Sequence, residues 1–121
     1  MLNKENILSY FDEKPSDWAG LNNSKIEYGI ITNDDEKASI ELEKIAVQIG
    51  IDNIKAYTNV EKVKNIRTKD DKTYFWIKPN MSARGYRFKN IYLDLNITNE
   101  EFYEIVLPIC YAVSKKNVKF I

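Results

Sequence analysis

A single α/β domain, three layers deep around a mostly parallel central sheet, is predicted by three features of this 121-residue chain. Strand-like and helix-like segments alternate along it; residues 35–49 carry a clean helical stripe; and capping signatures at Asn33 or Asp34, and at Thr98 with Glu101, open helices after strand-like runs. Helices between strands act as crossovers, which favours parallel pairing. A chain of this length buries a core without staples and is too short for two ordinary domains. One unit spanning 1–121 is expected, with an N-terminal helix and loop at 1–24 and the core at 25–121.

Asn3 is placed to cap a short helix reaching about Phe11, with Ile7, Leu8 and Phe11 at helical spacing. Pro15 stops it, and residues 16–23 read as a loop anchored by Trp18 and broken by Gly20. Residues 25–32, KIEYGIIT, read as an Ile-rich strand. The clearest helix follows: Ala38, Leu42, Ile45, Ala46 and Ile49 fall on one core-facing stripe, and Gly50 stands where a left-handed cap belongs.

Residues 51–58 predict a second strand, and Val60, Val63 and Ile66 a helical turn leading into the polar KDDK loop at 69–72. Residues 73–78 predict a strand ended by Pro79 and Asn80, and residues 88–95 another. The Thr98–Glu101 capping box should open a helix that buries Phe102, Ile105 and Val106 and bends or stops near Pro108. Residues 118–121 predict a last strand. The alternative architecture is a two-layer α+β sheet, in which 73–78 and 88–95 pair as a hairpin.

The apolar fraction of 44%, with eight Tyr, five Phe and two Trp, excludes a wholly disordered chain. Cys110 has no second cysteine to pair with and sits in an apolar run, which points to a buried thiol in a reducing compartment. The first 30 residues lack the pattern of a signal peptide, and no window approaches the roughly 20 apolar residues of a membrane span. A cytoplasmic protein with no membrane partner is expected.

Net charge is zero but unevenly placed. Residues 1–60 carry 6 Lys against 11 acids, and residues 61–121 carry 12 Lys plus Arg against 7 acids. Either these are solvated faces that cancel in the folded domain, or the protein presents one basic and one acidic surface.

The run SARGYRFKNIYLD followed by NITNEEFYEIVLPI resembles the RecA-like ATPase core of phage large terminases, where an arginine-glycine turn leads into a strand ending in an acid. The earlier GIITNDDEKASIELEKI is similar to that family's strand and helix after its phosphate loop. The likeness covers residues 25–121. It implies that Asp94 occupies the place of the strand-end aspartate that assists magnesium binding. The family's next residue, a catalytic glutamate, is Leu95 here, and the Gly-rich loop with its lysine is absent. Descent from such a core would therefore have lost ATP hydrolysis.

Histidine is absent, which removes Ser-His and Cys-His catalysis and the usual zinc ligands. A two-metal site would need Asp94 with Glu100, Glu101 or Glu104, but Glu101 is better explained as the capping residue and the other two as a solvent face. The sequence implies no cofactor and no metal, and the balance leans away from an enzyme. A basic loop between two strands is the better functional candidate: Arg84, Gly85, Tyr86 and Arg87, with Lys78, Asn80, Ser82 and Lys89 nearby and Phe75, Trp76 and Tyr92 in the flanking strands. Arginine forks grip phosphate or carboxylate and aromatics stack bases, so the mixture suits nucleic acid or another anionic ligand. The competing reading packs the aromatics in the core and pairs the arginines with Asp70, Asp71 or Asp94.

Two function classes follow. One is a noncatalytic binding module of a phage or mobile element acting through the basic loop. The other is an interaction protein that binds a host or phage protein, such as an inhibitor of a host defence nuclease acting through an acidic surface. Oligomeric state is left open.

Overall fold

Ile30 and Ile31, neighbours in the strand predicted from KIEYGIIT, are both fully buried yet belong to different hydrophobic clusters, because successive side chains of a strand point to opposite faces. The computed structural model describes residues 2–11, 26–85, 88–110 and 113–121, with backbone alone at 26, 27, 84 and 85. Its elements are α1 (Lys4–Leu8), β1 (Ile26–Ile31), α2 (Asp35–Ile49), β2 (Ile54–Val60), β3 (Val63–Thr68), β4 (Lys72–Ile77), β5 (Asn90–Leu93) and β6 (Val118–Phe120). Between β5 and β6 run α3 (Asn99–Glu101), a π-helical segment (Phe102–Val106) and α4 (Leu107–Ile109); 3-10 turns occupy Ile51–Asn53, Met81–Gly85 and Lys115–Asn117. The predicted loop at 16–23 and Pro15 lie outside the described residues.

Among the described residues the strands form one six-stranded sheet in the order β2-β3-β4-β1-β5-β6. β1 is parallel to β4 and β5, and β5 to β6; β2–β3 and β3–β4 are antiparallel. The α/β class holds, while the expected mostly parallel sheet is corrected to a mixed one. The antiparallel part comes from residues 60–68, where a helical turn was expected and a β-hairpin stands. Val60 pairs with Val63 across a two-residue turn, with Lys62 at φ 72°, and Ile66 is buried within β3. The pattern is hard to read because Lys64, at a core-facing position of β3, is a buried charge where a strand would show an apolar residue. The alternative hairpin of 73–78 with 88–95 does not form, since β1 lies between β4 and β5.

Asp34, rather than Asn33, caps α2: its Oδ1 accepts the Lys37 amide at 3.1 Å. The stripe is as expected: Ala38 is buried, Leu42 and Ile45 are buried with Ile30, Ile66 and Tyr74, and Gly50 closes the helix at φ 88°. Asn3 caps α1 by accepting the Asn6 amide at 2.9 Å. Residues 51–53 are a 3-10 turn rather than the start of β2, where Asp52 and Asn53 disfavour an extended chain.

Both bonds of the Thr98–Glu101 capping box are present. The helix ends near Pro108, as expected, at Ile109. Ahead of the proline the chain widens to π-type bonding, Leu107 N–H reaching Phe102 O. Phe102, Ile105 and Val106 are buried with Ile31, Phe88, Ile91 and Leu93. Cys110 is a buried free cysteine, as expected, and burial pushes its thiol pKa up, which keeps it a neutral packing group. Among the described residues no helix is long and apolar enough to cross a membrane.

Candidate functional site

Parallel strands present their carboxyl ends together, and in open α/β sheets ligands bind in the crevice there. Here β4, β1 and β5 end side by side, at Ile77, Ile31 and Leu93. The residues just beyond them are Lys78, Thr32 and Asp94.

Beside β4 is a cleft of about 360 Å3 lined by Lys62, Trp76, Ile77, Lys78, Asn80, Ser82 and Ala83. Three of the residues singled out in the sequence, Lys78, Asn80 and Ser82, therefore meet on one surface. Asn80 Oδ1 accepts the Ser82 amide at 3.0 Å and the Ser82 hydroxyl at 2.5 Å, a local turn that carries the chain past the buried Pro79. Gly85 and the Arg84 backbone follow in the 3-10 turn Met81–Gly85. The Arg84 side chain, Tyr86 and Arg87 lie outside the described residues. Lys89 is not brought to the cleft: it precedes β5 at its amino end, whereas Lys78 follows β4 at its carboxyl end.

Trp76 organises this cleft. Its Nε1 donates to Thr32 O at 2.9 Å, which fixes the ring to the end of β1, and the Nζ atoms of Lys64 and Lys78 lie 5.1 and 5.9 Å from its centroid. The two lysines are held differently. Lys64 is buried and satisfied, donating to Asp35 Oδ2 at 3.2 Å and Val60 O at 2.7 Å. Lys78 and Lys62 are exposed, and no carboxylate among the described residues pairs with the ammonium group of either. Lys62 was not foreseen as a site residue, because only the unforeseen β2–β3 turn brings it beside Trp76. The signal in the sequence was the pair Glu61-Lys62 between two valines, without the Asn-Gly that marks a hairpin strongly.

At the end of β5, Asp94 is buried and accepts three hydrogen bonds: from Thr32 Oγ1 at 2.7 Å, Lys37 Nζ at 3.1 Å and the Asn96 amide at 2.9 Å. It thus ties β1, α2 and the turn after β5 together, and its oxygens are occupied by this chain. Asp70 is likewise engaged, by Thr68 and Lys72. Glu101 is the capping residue expected and also accepts from Asn33 Nδ2 at 3.0 Å, while Glu100 and Glu104 are exposed.

Burial opposes the Asp94 charge, but the Asn96 amide, the Thr32 hydroxyl and the Lys37 ammonium outweigh it and hold its pKa below the usual carboxylate value. A carboxylate whose pKa falls on folding adds stability that is present above the unfolded value of 3.8 and lost as pH drops through the lower folded value. Lys37 keeps part of its hydration, which limits the cost of losing its partner. Asp94→Ala is expected to cost about 1.5–3 kcal/mol at neutral pH, and Asp94→Asn to lose its share of the acid-side fall. Urea unfolding at pH 7 and below pH 3.8 measures both. Equal stability of the alanine variant and the wild type at pH 7 contradicts the assignment.

Among the described residues no three His, Cys, Asp or Glu side chains cluster as a metal site requires. The arrangement beside β4 offers two ammonium groups that no carboxylate among the described residues pairs with, an aromatic ring and the Asn80 side chain, groups that can attract an anion. Compared with known proteins, the chain matches no family model, no curated protein and no solved structure.

Proposed function

We propose that this protein is a noncatalytic binding module that holds an anionic ligand, foremost nucleic acid, in the cleft around Trp76. The observation that carries the reading is the cleft that Lys62, Lys78 and Trp76 line together, both lysines exposed and without a carboxylate partner among the described residues, beside an aromatic ring of the kind that bases stack on. Arg84 and Arg87, close in sequence to the cleft, are proposed to extend the cationic surface.

The proposal extends to architecture and origin. The sheet is read as the middle of three layers, with α2 on one face and α1 with the 99–109 helix on the other; the two separate hydrophobic clusters support this. The crevice between β1 and β5 is then a topological switch point. Descent from a terminase-like ATPase core of a phage or mobile element is supported by Asp94 at the carboxyl end of β5. A cytoplasmic location is supported by the free thiol of Cys110. The second reading, a protein that inhibits a host defence nuclease by an acidic surface, is favoured by the exposed Asp34 at the cap of α2 and the exposed Glu36 and Glu43 on it.

Titration of labelled single- and double-stranded DNA at a series of salt concentrations tests the proposal. Affinity should fall steeply with salt, and Lys62→Ala with Lys78→Ala should lower the salt slope by about two, one for each phosphate no longer neutralised. No binding at low salt removes the nucleic-acid reading. Binding unchanged in the lysine double variant removes this cleft as the site. Binding of a host protein that is abolished by charge reversal of Glu36 and Glu43, with DNA ignored, selects the second reading.

A further inference from the structure

Tyr28 of β1 has Tyr74 of β4 on one side and Asn90 of β5 on the other, as the registers of the two parallel pairs place them. The two tyrosine rings are stacked, with centroids 4.3 Å apart and planes 14° from parallel. Because β4 and β5 flank β1 on opposite sides, a Tyr28 ring stacked on Tyr74 turns its other face toward β5. The ladder of rings breaks off there, since Asn90 is shorter than a tyrosine and leaves room above it. That room is a cleft of about 230 Å3, lined by Tyr28, Asn90, Ile91, Tyr92, Asn117 and Lys119.

The cleft is on the α2 face of the sheet, but α2 packs over β2 and β3. Beyond β1, Asn90, Tyr92 and Asn117 are half-buried and Lys119 is exposed. Three chemistries meet there. Tyr28 offers a ring face for stacking. The carboxamides of Asn90 and Asn117 each carry donors and an acceptor, and neither has a hydrogen-bond partner among the described residues. Lys119 Nζ stands 5.5 Å from the centroid of Tyr92, and no carboxylate among the described residues pairs with it. No acid is among the described residues that line the cleft. Burial, with Tyr28 and Glu41 nearby, raises the Tyr92 pKa, so its phenol stays a neutral O–H donor.

We propose that this cleft binds a nucleotide: the base continues the Tyr74–Tyr28 stack above Asn90, its edge bonds to the Asn90 and Asn117 carboxamides, and its phosphate meets Lys119. A flat ring with donors and acceptors along its edge and an anion at one end is what these groups complement. The cleft is smaller than the roughly 300–1,000 Å3 of sites for drug-sized ligands, so it takes a single base. The source is a free mononucleotide or one nucleotide of a single strand, because a base paired in a duplex does not enter such a slot. No residue is shared with the Trp76 cleft, and the two sites stand or fall separately.

Calorimetric titration of the full chain with ribonucleoside monophosphates, the matching nucleosides, inorganic phosphate and a short single-stranded oligonucleotide tests this. A mononucleotide is expected to bind more tightly than its nucleoside and than phosphate alone. Asn90→Tyr fills the next place in the ladder and should abolish that binding in a protein whose circular dichroism is unchanged. Lys119→Ala, at an exposed position, should weaken the nucleotide about tenfold and leave the nucleoside unaffected. The oligonucleotide tells the sources apart. Mononucleotide binding that it does not displace assigns a free nucleotide; oligonucleotide binding that falls in Asn90→Tyr assigns a strand. Failure of every probe to bind, binding indifferent to Asn90→Tyr, or phosphate alone binding as tightly as the nucleotides overturns the proposal. Lys62 and Lys78 are untouched in these variants, so binding of DNA at the Trp76 cleft is scored on its own.

Discussion

Replacing Phe88 by alanine is expected to destabilise the protein by about 3–5 kcal/mol, the range for removing a large aromatic from a packed core. Phe88 is fully buried, and its neighbours in the cluster include Ile31, Ile91, Leu93, Phe102 and Val106. Its ring lies over Gly29 of β1: a Cβ built on that glycine would stand 2.7 Å from two ring carbons. The glycine is thus required by close approach rather than by its backbone angles. Gly29→Ala should itself cost about 1–3 kcal/mol through overpacking. Because the two residues share one space, combining Gly29→Ala with Phe88→Leu should cost less than the sum of the separate changes. Chemical denaturation of the four proteins gives the coupling. A loss under about 1 kcal/mol in Phe88→Ala, or strict additivity in the pair, contradicts this packing.

Leu42→Ala should cost about 2–5 kcal/mol, the spread reflecting how far the site collapses around the missing atoms. Leu42 is fully buried at the centre of the α2 stripe, packed with Ile30, Ile45, Ile66 and Tyr74. Val47 is on the same helix and is its internal control. At 82% exposure, Val47→Ala should change stability by less than about half a kcal/mol. Similar losses for the two substitutions would mean that helix propensity, and not burial, governs α2.

These two residues differ in how visible their roles are beforehand. Leu42 sits in a local repeat: its partners on the helix recur at three- and four-residue intervals, so burial follows from periodicity. Phe88 carries a visible apolar side chain, but its contact with Gly29 joins positions far apart in sequence, and no local pattern signals it. The same division runs through the elements. α1, α2 and the Thr98–Glu101 helix start are set by caps whose bonds close within three residues, and each is found where its cap stands. β3 does not show as a strand in the sequence because Lys64 occupies a core-facing position, and that burial is tolerable only with Asp35 and the Val60 carbonyl supplied by other parts of the fold.

The candidate site divides likewise. Lys78, Asn80 and Ser82 follow one another closely after a strand and are legible as a group. Lys62 reaches them through a hairpin whose turn lacks the strong dipeptide signals, and Thr32 and Lys37 reach Asp94 from a segment 57 or more residues away.

The sequence by itself determined the α/β class, the two principal helices with their caps and buried stripes, the buried thiol of Cys110 and the excess of cations in residues 61–121. All of these depend on interactions between residues a few positions apart, where chain geometry leaves little choice. Tertiary structure alone decided the strand order, the mixed pairing, the pinning of Asp94 by Thr32 and Lys37 and the placing of Lys62 beside Trp76. Those depend on which edges and faces meet once the chain has closed, and many sequences with the same local pattern can close differently.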